Sequence, residues 1–145
     1  MWTTCFSPDG NRELNSHADA LANEGHGHGI LLRCSAPYLQ YCRFISCFDG
    51  SFTETNNASI GFWIGTGNDM DKTCTGIDPR EFYPVLEGLG SITADSALEA
   101  ELAACVLATF SLVGLLNGKN SETLLAPILN SRPTLDEVYR LVISS

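Results

Sequence analysis

Phe44-Ile45-Ser46-Cys47-Phe48-Asp49-Gly50-Ser51-Phe52, followed by Ile60-Gly61-Phe62-Trp63-Ile64-Gly65, decides the fold. Both runs are rich in β-branched and aromatic residues, which reads as a strand, an Asp-Gly-Ser corner and a second strand. Residues 54 to 57 are polar and include two adjacent asparagines, so strands over 41–48 and 59–66 form an antiparallel hairpin. Asp49 closes an apolar strand, and a carboxylate held there is costly unless a cation sits beside it. The expected cation is a divalent metal.

Composition sets the outer limits. At 145 residues, 44% hydrophobic and 17% charged, the chain has the length and content of one ordinary domain with a real core. No apolar run is uninterrupted over a membrane-spanning length; the longest, residues 98 to 116, contains Glu101, Thr109, Ser111 and Gly114. No membrane partner is expected. The first residues show no basic stretch leading into an apolar core, so an intracellular location, nuclear or cytoplasmic, is expected. Eight basic residues against 17 acids leave a net charge of −9, a poor footprint for gripping nucleic acid by backbone charge alone. The six cysteines form no CxxC pair, and Cys42, Cys47 and Cys105 sit among apolar residues as reduced core side chains.

Working outward, residues 2 to 7 are β-prone and end at the turn Pro8-Asp9-Gly10. Leu14, Ala18, Leu21 and Ala22 recur at helical spacing and Gly25 stops the helix, with Asn15 and Asp19 on one face. His26-Gly27-His28-Gly29 reads as a loosened linker rather than a metal clip, and residues 26 to 40 as a connection. Short strands are expected at 73–76 or 82–86. Ser96-Ala97-Leu98-Glu99 is a capping box opening a helix that runs to about residue 117. Its expected core stripe is Leu98, Leu102, Cys105, Thr109, Leu112 and Leu116, widened by Val106, Phe110 and Val113. A short helix is expected within 122–130, and residues 137 to 145 read as a final strand.

The order strand, Asp49-Gly50-Ser51, strand, then Ser96-Ala97-Leu98-Glu99-Ala100-Glu101-Leu102, resembles type 1 ribonuclease H, especially its plant retroelement-like branch. A third match lies upstream. Residues 12 to 23, carrying Arg12, Asn15, Ala18, Asp19, Leu21 and Ala22, resemble the family's last helix, R-x-x-N-x-x-A-D-x-L-A. Residues 2 to 7 then stand for its fifth strand. The resemblance implies an α/β fold: a mixed five-stranded sheet with flanking helices in permuted or truncated order. Residues 1–25 correspond to the family's C-terminal end and 41–145 to its N-terminal part, within one compact domain. If the permutation closes, the strand at 2–7 lies parallel beside the one at 137–144.

The same resemblance makes Asp49, Glu101 and Asp19 the catalytic, metal-binding acids, with Mg²⁺ or Mn²⁺ as cofactor and an RNA–DNA hybrid as substrate. Asp49 would bridge two metals, which in such sites lie about 3.5–4 Å apart. The family's fourth strand ends in a further catalytic Asp; residues 138 to 145 match that strand without it, and Glu122, Asp136 and Glu137 do not fit the motif. A non-catalytic module, or a retroelement remnant, is therefore the competing expectation. Each acid has an ordinary alternative: Asp49 as a turn former, Glu101 as a solvated helix edge, Asp19 as a surface acid. Hybrid recognition reads 2′-hydroxyls in the minor groove, for which Asn56 and Asn57 are candidate donors.

Overall fold

The computed structural model describes residues 2–5, 15–35, 43–54, 57–67 and 82–145. Five strands appear among them: β1 (Trp2–Cys5), β2 (Leu31–Cys34), β3 (Arg43–Glu54), β4 (Asn57–Gly67) and β5 (Tyr83–Ile92). They form one sheet in the order β1-β3-β4-β5-β2. Four of them are antiparallel neighbours, and β1 joins the edge in parallel, with Trp2 opposite Phe44 and Cys5 opposite Cys47. The molecule is mixed α/β, as the sequence implies.

The hairpin forms as expected, but the corner does not. β3 runs through Asp49-Gly50-Ser51 without a break, because Asp49 pairs with Gly61, Gly50 with Ile60 and Ser51 with Ser59. The ladder loses register only near the hairpin end, between Phe52 and Glu54. β5 is longer than the expected 82–86; the other candidate strand, 73–76, lies outside the described residues, as do Asn56, Cys5's side chain, Cys42 and Cys74.

Side chains alternate across the sheet, and each face carries its own helices. Ile60, Phe62, Ile64, Leu86 and Ile92 face a large core completed by helix α2 (Ala97–Leu116), the short α3 (Ser121–Leu124) and α4 (Leu135–Ile143). Ile45, Cys47, Trp63 and Leu89 face a smaller core under helix α1 (Ser16–Glu24).

Two helices depart from the sequence reading. Most of the segment 137–145 belongs to α4, which ends at Ile143, and none of it is a strand. Thr134 accepts the Glu137 amide at 3.1 Å, and Val138 and Leu141 fall on one buried face. The cap and the three-residue spacing prevail over the β-branched run. Consequently β1 pairs with β3 rather than with residues 137–144. In α2 the capping box holds, with Glu99 N–H donating to Ser96 Oγ at 3.2 Å and the Glu99 carboxylate accepting the Asp95 amide at 2.6 Å. The buried face, however, is Ala100, Ala103, Ala104, Leu107, Ala108, Ser111 and Leu112. Most of the expected stripe, including Leu98, Leu102 and Leu116, points outward.

The expected linker 26–40 is structured wherever it is described. β2 pairs with β5, and Ile30 exchanges backbone hydrogen bonds with the segment after α3, at 3.0 Å to Ser131 and 2.8 Å from Asn130.

Candidate functional site

Two glycines in adjacent strands bring helices down on either side of Asp49. A Cβ at Gly61, directly opposite Asp49, would lie 2.2 Å from Ala22 N and 2.6 Å from Ala18 O. α1 therefore rests on bare backbone at that point. A Cβ at Gly50 would lie 2.5 Å from Ala100 C and Glu101 N, so α2 meets the strand just after the acid. No other residue type permits both approaches. The Gly in Asp-Gly-Ser serves helix contact rather than a turn.

Residues opposed in an antiparallel ladder share a face, so Asp49 projects with Gly61 toward α1. Asn15 and Asp19 descend from that helix one turn apart. Asn15 Nδ2 donates to Phe48 O at 3.0 Å, anchoring the start of α1 one residue before Asp49. Asp19 comes near enough to the Asp49 carboxyl to act on it as a hydrogen-bonding partner and as a like charge, both of which raise the Asp49 pKa. The Asp49 pKa is pushed up to about 7, first by desolvation in its half-buried position and then by Asp19, while the Gly50 amide at 3.0 Å opposes the shift. Glu101, from the opposite helix, adds a smaller repulsion.

The three acids read from the sequence thus lie within electrostatic reach of one another. Asp19 acts on Asp49 by hydrogen bonding and by charge, whereas Glu101 acts by charge alone and is exposed. Among the described residues, no three His, Cys, Asp or Glu side chains converge into a ready-made metal cage. The donor set is nonetheless all carboxylate, the chemistry hard Mg²⁺ or Mn²⁺ prefers. A cation between Asp19 and Asp49 would offset the repulsion that raises the Asp49 pKa.

His26 takes a place the sequence did not assign. Ser51, Ser59 and Ser91 stand side by side across β3, β4 and β5. Ser59 Oγ donates to Ala22 O, Ser91 Oγ donates to Gly25 O at 3.0 Å and accepts from Gly27 N at 2.8 Å. His26 Nε2 meets Ser51 Oγ at 2.8 Å. This serine row clasps the C-terminal end of α1 and the turn after it. The signal for it was present in sequence only as three serines in separate strands, with nothing to align them. His28 is exposed, and its backbone carbonyl accepts from Ser91 N at 2.8 Å.

A second titratable group sits on the same face. His17 stacks on Trp63, with ring centroids 5.1 Å apart, and its Nε2 contacts Glu87. Trp63 is opposed to Cys47 in one direction and Glu87 in the other, which fixes the cluster on the sheet. Two cavities among the described residues, about 420 and 230 Å³, open around Lys119 and Asn120, beyond the far end of α2 from Glu101.

Compared with protein-family models, curated proteins and solved structures, the chain matches none.

Proposed function

We propose that the chain is a ribonuclease H-like module in which Asp49, Asp19 and Glu101 bind Mg²⁺ or Mn²⁺ and hydrolyse the RNA strand of an RNA–DNA hybrid. The observation that carries the reading is the nearness of Asp19 to Asp49, two acids 30 positions apart in sequence that the family motifs select independently. Ordinary surface acids avoid each other, since like charges at short range raise one another's pKa. A pair held close, with a third acid near, is the arrangement expected of a cation site.

Bound metal would supply Lewis acidity toward the scissile phosphate and lower the pKa of an attacking water. Asp49 fixes the centre, because both of its neighbours along the strand are pinned: Phe48 O by Asn15, and Gly50 by α2. Asp19 contributes from α1 and Glu101 from α2, so the acids close on the phosphate from opposite helices. With a net charge of −9 the protein gives the hybrid little backbone attraction, and binding weakens further as salt rises.

One observation favours a second reading. Residues 138 to 143, within the segment that the resemblance sets against the family's fourth strand, are helical, so no strand there carries the family's further acid. The module would then bind a cation and keep the fold without turnover. Incubation of a labelled hybrid with Mg²⁺, alongside Asp49→Asn, separates the two. Cleavage in the parent and none in the variant supports hydrolysis. Equal background in both sinks it, and Mg²⁺ binding without cleavage supports the inactive module.

A further inference from the structure

We propose that Cys5 and Cys47 form an oxidation site, a thiol pair that an oxidant of the peroxide class joins into a disulfide fastening β1 to β3. Cys5 is the last residue of β1, and the parallel register sets it directly opposite Cys47. Neighbouring strands lie about 4.8 Å apart, inside the ~4.4–6.8 Å that separates the Cα atoms of a disulfide. Opposed positions in a ladder also share one face of the pleat. Reaching disulfide geometry takes about 1 Å of further closure between the two Cβ positions. β1 is the element able to give, since it is a four-residue edge strand paired with β3 alone.

The fold selects this pair over the other described cysteines. Cys34 lies in β2, at the opposite edge of the sheet, with three strands between it and β1. At about 4.8 Å per strand that is roughly 19 Å, far outside disulfide reach. Burial and the nearby Glu122 also push the Cys34 thiol up, which leaves it little thiolate. Cys105 belongs to α2, which packs on the other face of the sheet from Cys47. Cys47 itself is fully buried, and a buried thiol reacts slowly. Fraying of the short edge strand opens the seam between β1 and β3 to the oxidant at less cost than unfolding the core.

The chemistry balances with peroxide as the only co-reactant. One thiolate attacks a peroxide oxygen: an S–O bond forms, the O–O bond breaks and hydroxide leaves. The second thiolate attacks the sulfenic sulfur, an S–S bond forms and the other hydroxide leaves. The two thiols lose two protons and two electrons in all, and the peroxide ends as two waters. The loop so closed carries α1, with Asn15 and Asp19, and ends two positions before Asp49. The site is independent of the nuclease reading, because it uses none of the three acids and is read without substrate.

Treating the native chain with hydrogen peroxide, then alkylating and digesting it, tests the proposal. The expected result is an intramolecular 5–47 link by peptide mass spectrometry, with two fewer thiols titrating per chain in denaturant. The urea midpoint should rise, because the link restricts the unfolded chain, and dithiothreitol should reverse the rise. Cys5→Ser, at the sheet edge, and Cys47→Ala, which puts no hydroxyl in the buried position, should each lose the link and the rise together. Thiols that survive unlinked, or that pass to sulfinic acid, overturn the proposal. So does a different pairing as the main product. A 5–47 link that forms as fast in urea also overturns it, since the fold would then play no part in bringing the pair together.

Discussion

Asp49 is an acid whose surroundings resist its charge. An ordinary aspartate has a pKa near 3.8, and this one is raised to about 7 by desolvation, with Asp19 next in weight. Between those values the folded chain binds more protons than the unfolded one, so stability falls as pH climbs from about 4 to about 7. Below the ordinary value the penalty is absent, and above the raised value it is fully present. Asp49→Asn should flatten that slope and stabilise the fold at pH 8. The gain is on the order of 1 kcal/mol once the half-exposed position is discounted for solvent screening. Urea unfolding of both chains across pH 4–8 checks this; identical slopes would show that Asp49 titrates normally. Asn15 gives a companion prediction. Its amide holds α1 against Phe48 O at 3.0 Å, so Asn15→Ala should cost about 1 kcal/mol. It should also let Asp19 withdraw, and the Asp49 carboxyl, followed by carbon NMR, should then titrate closer to the ordinary range. The acids themselves were legible in the sequence because each fell in a motif. Asn15 was legible as a motif position sharing a face with Asp19, but its role was not, since nothing in a sequence shows which carbonyl an amide will reach.

At the scale of elements, the site depends on two helices approaching one strand pair where the side chains vanish. Gly61→Ala would place a methyl 2.2 Å from Ala22 N, and Gly50→Ala one 2.5 Å from Ala100 C and Glu101 N. Both obstacles are backbone, which cannot rotate aside as a side chain can. Each substitution should cost about 1–3 kcal/mol, read as a lower urea midpoint, and Gly61→Ala should in addition separate Asp19 from Asp49. Equal midpoints for variant and parent would mean the helices sit farther out. The hairpin and the capped start of α2 were legible because local chemistry determines them. The sheet-facing side of α2 was not. With apolar residues on every side, its periodicity selects no face, and the choice is made by how closely Gly50 lets the helix approach, which favours alanine over leucine there. α4 was misread for the opposite reason: Val138, Val142 and Ile143 favour strands, while the Thr134 cap and Glu137 were sufficient to start a helix.

For the whole molecule, on the proposed reading, a divalent cation binds the folded chain at its acids and so stabilises it as well as serving the chemistry. Any ligand that binds the folded state alone adds RT ln(1 + [L]/Kd), about 1.4 kcal/mol at tenfold excess over Kd. For a chain of this length that corresponds to a thermal shift of about 3–5 °C. That residues 2 to 7 begin with a strand was legible in the sequence; its neighbour was not, because the segment expected beside it lies largely in a helix and β1 pairs with β3 instead. Asp19 lies in the N-terminal part and Asp49 and Glu101 in the remainder, so a cation held by all three would fasten the ends together. Mg²⁺ at pH 8 should therefore raise the midpoint of the parent chain, and EDTA should reverse it. Sodium chloride at matched ionic strength controls for general screening of the acidic surface and should produce a smaller rise. Asp49→Asn and Asp19→Asn should each keep the sodium response and lose the excess due to Mg²⁺. If Mg²⁺ does no more than sodium in the parent chain, the three acids are a strained surface cluster and the cation site does not exist.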